Sequence, residues 1–196
     1  MCRIVHILAV VLFCFTLSAA VWADDPQAVA EVRKFHEDHY KKLETDTPEQ
    51  ALERFAPGFI GYAANSDRVR LYMFHGGIID PEDWIINIAG PDDLRKYVEN
   101  TIREATITRP ERKKTRSNYN VIIEILHVHV NGNHAISVAR RVDSGNDPTT
   151  HEWISTEQRS VFFLSKIRGQ WKFTSKISTI SWNQFIGKNI PEIKAQ

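Results

Sequence analysis

Asn120-VIIEILHVHVNGNHAISVARRV-Asp143 is the stretch whose reading decides the fold. Two runs rich in β-branched residues flank Asn131-Gly132, the strongest short-range hairpin signal in the chain. A two-residue turn at that pair sets Val130 opposite Asn133. One face then carries Val121, Ile123, Ile125, His127 and His129, opposite His134, Ile136, Val138, Arg140 and Val142. The other carries Ile122, Glu124, Leu126, Val128 and Val130, opposite Ala135, Ser137, Ala139 and Arg141. Both faces are largely apolar, so both are expected to be covered, one by helices and one by a partner subunit. The pattern continues through Glu157–Ser165, the turn Arg168-Gly169, and Gln170–Trp182. A sheet of this size needs helices on one face to stand in water.

Upstream, the helical patterns are present. Ala28, Val32, Phe35, His39 and Leu43 recur at helical spacing behind Asp24-Asp25-Pro26, with His36 and Tyr40 bordering the stripe. Thr47-Pro48-Glu49-Gln50 opens a second helix as a capping box, expected to end at Phe55. Phe59–Ala64 and Val69–Phe74 read as strands, and Ile78–Ala89 as irregular. Gly90-Pro91-Asp92-Asp93 starts a third helix with Leu94, Tyr97, Val98 and Ile102 on its apolar face. Thr108–Asn118, with Arg109, Arg112, Lys113, Lys114 and Arg116, reads as a polar loop, either solvated or an anion site.

Ahead of all this, Arg3, the apolar run Ile7–Leu17 and the small residue Ala23 form the pattern of a cleavable secretory leader over residues 1–23. The apolar run is shorter than the ~20 residues of a membrane span. The expectation is one exported domain over residues 24–196, secreted or periplasmic. Both cysteines, Cys2 and Cys14, fall in the leader, so the mature chain carries no disulfide and no thiol nucleophile. Without Arg3, 24 lysines and arginines face 24 aspartates and glutamates. That balance argues against nucleic acid and against charge-driven attachment to anionic lipid.

Four short features fall in a familiar order: Leu52-Glu53-Arg54-Phe55-Ala56-Pro57 before a strand, Gly90-Pro91-Asp92-Asp93-Leu94, Asn133-His134-Ala135-Ile136, and Gly169-Gln170-Trp171-Lys172-Phe173. In this order the chain resembles the nuclear-transport-factor-2-like superfamily, within it the SnoaL-like, polyketide-cyclase-like and ketosteroid-isomerase-like group. The resemblance implies an α+β fold: a cone-shaped curved antiparallel sheet with three helices packed on its concave side. It also implies a pocket at the wide end for a small apolar or aromatic molecule. Carried over residue by residue, the isomerase tyrosine falls near His39 or Tyr40, the general base near Ala63, and the second acid around Glu157 to Val161. Alanine has no proton-transfer chemistry, so the resemblance implies a pocket and not that reaction.

His39 reads either as a satisfied core histidine or as a proton shuttle aimed into the pocket. Glu124 and Arg141 are diagonal neighbours in the expected register, on the face that the resemblance makes concave. They are either a structural ion pair or an acid/base with a desolvated carboxylate. Glu157 and Arg159 repeat the theme. His39, Glu124 and Glu157 are therefore the candidate catalytic residues; Tyr40, Tyr62, Tyr72, Trp84, Arg141, Arg159 and Trp182 are the candidate ligand contacts. His127, His129 and His134 cluster at the hairpin tip, as exposed histidines, part of a dimer face, or a metal set. No metal or cofactor is expected, and no nucleotide-binding or nucleophile-elbow motif is present. The expected function is small-molecule binding. The alternatives are a cofactor-independent lyase, isomerase or cyclase, and a dimeric assembly module with a vestigial pocket. A homodimer through the outer sheet face is the expected assembly.

Overall fold

The structure, a computed structural model, describes residues 24–64 and 85–185. Helix α1, Pro26–Lys42, is capped by Asp25, whose carboxylate accepts from the Gln27 N–H at 2.9 Å. Its buried stripe is Val32, His36 and His39, continued by Leu43. His36 is thus inside the stripe, with 0% exposure, rather than on its border. Helix α2, Pro48–Leu52, has the expected capping box of Thr47 and Gln50. It stops before Phe55, which already belongs to strand β1, Phe55–Ala64. Strand β2, Ile85–Ala89, pairs antiparallel with β1, within a segment expected to be irregular. Val69–Phe74 lies outside the described residues.

Helix α3, Pro91–Arg103, buries Leu94 and Val98. It continues through a π turn, Glu104–Thr108, into α4, Arg109–Thr115. The expected loop is therefore largely helical. Pro110 falls inside this stretch, and a proline lacks an N–H and crowds the preceding turn. The π turn immediately before it widens the backbone and lets the helix pass the proline.

Strands β3 (Asn120–Asn131), β4 (His134–Asn146), β5 (Trp153–Ile167) and β6 (Gln170–Phe185) complete a six-stranded sheet of order β2-β1-β6-β5-β4-β3. All neighbours are antiparallel except β1 and β6. Irregularities interrupt β3 at Leu126 and β6 at Thr174, and such bulges bend a strand and increase its twist. The helices cover the concave face.

The hairpin differs from its expected register. Asn131 pairs with His134, leaving Gly132-Asn133 as the turn. Gly132 sits at φ +57°, where a side chain is strained, and Asn133 has no positive φ. Val130 therefore faces Ala135. The bulge at Leu126 then swaps faces for the rest of β3. Ile125, Ile123 and Val121 join Ala139, Arg141 and Asp143 on the concave side, while Glu124 pairs with Arg140 on the convex side.

Aromatic rings fill the narrow part of the fold. Phe173 is fully buried, 5.0 Å from the Phe162 ring and 5.5 Å from Phe55. His36 meets Phe162 edge-on at 4.4 Å, and its Nδ1 bonds Ser137 Oγ at 2.7 Å. On β1, a Cβ at Gly61 would stand 3.1 Å from the Lys176 carbonyl oxygen, a tight contact that its neighbours would have to give way to. Gly61 and Ala63 keep this part of the concave wall shallow.

Candidate ligand cavity

A cavity of about 510 Å³ lies between α1, α3, the π turn and the concave face. Leu43, Ala63, Ile154 and Phe162 supply apolar wall. A larger, more open bay of about 1050 Å³ lies against β3, and Tyr40 and Arg109 line both spaces.

The polar lining is dominated by cations. Glu104 Oε1 accepts from Arg112 at 2.9 Å and Arg141 at 2.8 Å. Asp143 Oδ2 accepts from Arg112 at 3.1 Å, Arg141 at 3.2 Å and Tyr119 Oη at 3.0 Å. Arg116 stands 3.9 Å from Asp143 Oδ1. Burial opposes the charge on Arg112, but Glu104 and Asp143 outweigh it and hold its pKa above the ordinary value. Each carboxylate thus has one oxygen accepting from two arginines.

Arg109 and Lys176 have no carboxylate partner among the described residues. Arg109 makes no ion pair or side-chain hydrogen bond there, and its buried Nε is unpartnered. Burial, then the Arg141 charge, lowers its pKa. Lys176, 6% exposed, donates to Tyr97 Oη at 2.6 Å and lies over the rings of Tyr97 and Phe162 at 4.9 and 5.1 Å. With its oxygen accepting from Lys176, Tyr97 keeps its own hydroxyl hydrogen for another acceptor.

His39 lines the same cavity. Its Nδ1 receives the Arg54 Nε–H at 3.0 Å, and Arg54 is held in turn by Asp46. Guanidinium nitrogens only donate, so Nδ1 must accept and the ring hydrogen sits on Nε2. Burial first, and the Arg54 charge second, hold His39 neutral, well below the usual imidazole value. It is a hydrogen-bond donor whose basic nitrogen is already taken.

Against solved structures, the chain superposes on a hexachlorocyclohexane dehydrochlorinase, LinA type 2, with a TM-score of 0.50 and 9% identity over 86% of this chain and 96% of that one. It superposes on a nuclear-transport-factor-2-like protein of unknown function from Pseudomonas putida KT2440 with a TM-score of 0.51 and 13% identity, over 80% and 89%. The fold is nuclear-transport-factor-2-like. At these identities the likeness is one of fold alone; no protein-family model and no curated protein matches the chain.

In this nuclear-transport-factor-2-like frame, the residues expected at the site separate. His39, Tyr40 and Arg141 line the inner cavity, and so does Ala63, where the isomerase resemblance calls for a base. Glu124 and Glu157 do not converge on it. Arg140 bridges them on the convex face at 3.1 and 3.2 Å, so Glu124 reaches only the edge of the outer bay. The expected Glu124–Arg141 pair is replaced, because the Leu126 bulge turns Glu124 away. Burial alone would raise the Glu157 pKa, but Arg159 and Arg140 hold it below the ordinary carboxylate value. Arg159 donates to Glu157 at 2.7 Å on that same convex face. Tyr62 is exposed, on the opposite side of β1 from Ala63. Tyr72, Trp84 and the side chain of Trp182 lie outside the described residues.

His129 pairs with Ile136, not His134. It meets Asp24 Oδ1 at 2.7 Å, while His134 meets Ser165 Oγ at 3.1 Å. Among the described residues no three His, Cys, Asp or Glu side chains group as metal ligands. The residues that sequence reasoning did not place at the site are Arg109, Arg112, Arg116, Glu104, Asp143, Tyr97 and Lys176. The basic run from Arg109 was the visible signal, and a helix rather than a loop brings it to the cavity.

Proposed function

We propose that the chain is an exported small-molecule-binding protein whose guest enters the inner cavity. The observation that carries this is an unfilled space of about 510 Å³ with apolar walls and unspent hydrogen-bond donors. Pockets of roughly 300–1,000 Å³ suit small organic ligands. A cavity of that size, not filled by side chains, also weighs against an assembly module with a vestigial pocket.

Binding is favoured over turnover by the state of the acid/base groups. Glu104 and Asp143 are held by arginines, and His39 has given its basic nitrogen to Arg54. Ala63 supplies no base. Proton abstraction would need a free acceptor near the operating pH. The dehydrochlorinase sharing the fold shows that such a frame can host chemistry, but this lining favours holding a guest. A thermal-shift panel of small aromatic and aliphatic molecules tests the proposal. Members of the panel should raise the melting temperature of the mature protein, and a flat response across the whole panel would overturn it.

A further inference from the structure

Resting on that binding role, we propose that the guest is an organic carboxylic acid, with its carboxylate seated between Arg109 and Arg141 and its apolar body against Phe162. The argument is a count of what the cavity offers and what it lacks. Of its acids, buried Asp143 and half-buried Glu104 already accept from arginines, and Asp93 accepts from the Ala89 N–H at 3.3 Å. Its donors are in surplus. Arg109 has no anionic or hydrogen-bonding partner among the described residues, and the Nε atoms of both Arg109 and Arg141 are buried without one. Both guanidiniums line the cavity, and their charges are close enough to oppose each other. Lys176 adds a buried ammonium with one of its N–H groups spent on Tyr97. Buried donors and like charges left in this state are costly, and an oxyanion answers both at once.

The planar guanidinium fork matches the two oxygens of a carboxylate. Leu43, Ile154 and Phe162 give the rest of the molecule an apolar seat, which a small inorganic anion would leave empty. Arg109 also borders the outer bay.

The experiment is calorimetric titration of the mature protein with benzoate, 3-phenylpropionate, their neutral amides, and phenyl phosphate. The acids should bind at least ten-fold more tightly than their amides, and weaken as salt rises. Arg109→Met should reduce acid affinity about ten-fold or more while leaving the melting temperature of the free protein unchanged or higher, because Arg109 has no ion-pair or hydrogen-bond partner among the described residues. Lys176→Met should weaken the acids without strengthening the amides. Amides that bind as well as acids would overturn the carboxylate while leaving the binding role standing. Phenyl phosphate binding in place of the acids would overturn it in favour of a phosphate ester. If no compound in the panel binds, the carboxylate proposal is overturned, and the binding role is judged separately by the broad thermal-shift panel.

Discussion

His36 shows how far one buried side chain governs behaviour with pH. Burial pushes its pKa down to about 3, with the Lys176 charge adding to the effect. The folded state therefore keeps the ring neutral where the unfolded chain takes up a proton. Its contribution is fully present above about pH 6.5 and is lost progressively as the pH falls toward 3, on the order of a few kcal/mol at the limit. Whichever tautomer forms, Nε2 has no partner among the described residues. Replacing His36 by Phe together with Ser137 by Ala removes the titrating ring and both ends of its hydrogen bond. Urea denaturation at pH 7.5 should show a near-neutral change. At pH 4.5 the double variant should lose clearly less stability than the wild-type protein; equal losses would mean that His36 is not the acid-sensitive element. At this same scale the sequence showed His39 on a buried stripe, but not its role. The bond from Arg54, fifteen residues away in the chain, fixes the tautomer, and no local pattern reveals it.

The elements were more legible than their register. The capping box at Thr47 and Gln50 is present as read, and Thr47→Ala should cost about 1 kcal/mol in chemical denaturation, with no change marking the box as unimportant. Phe173 joins β6 to both α1 and β1 through its ring contacts, and Phe173→Ala should cost about 3–5 kcal/mol. A loss below 1 kcal/mol would show that this ring cluster is not the centre of the core. The hairpin was visible from composition, whereas its pairing was not. Gly132 opens the turn instead of closing it, and the bulge at Leu126 reverses the faces beyond it. Arg33 of α1 donates to the Ile125 carbonyl beside that bulge, so a tertiary contact supports it. The error moved Glu124 to the wrong side of the sheet. In the same way, the stretch read as a polar loop is a helix that a π turn allows to continue past Pro110, and it brings Arg109 and Arg112 to the cavity.

For the whole molecule, the order of elements was legible because each helix start and strand run carries its own signal. The cavity was not, because its lining comes from α1, α3, the π turn, α4 and five strands at once. The convex face presents Leu126, Ile136, Phe163 and Ile177 to solvent. Ile136 and Phe163 are direct cross-strand neighbours, which makes part of this surface contiguous. We expect the mature protein to dimerise there. Light scattering at micromolar concentration should return twice the monomer mass, and Phe163→Lys should return it once; a wild-type monomer would refute this assembly. Export predicts a mature chain beginning at Asp24, which N-terminal sequencing of secreted material would verify. The central claim is that a bent sheet and its helices leave a space for an organic guest. Its most direct test is a crystal of the mature protein soaked in 4-bromobenzoate. The account predicts an anomalous bromine peak inside the inner cavity near Phe162, with the carboxylate toward Arg109. A cavity closed by its own side chains, or bromine found only on the outer surface, would contradict it.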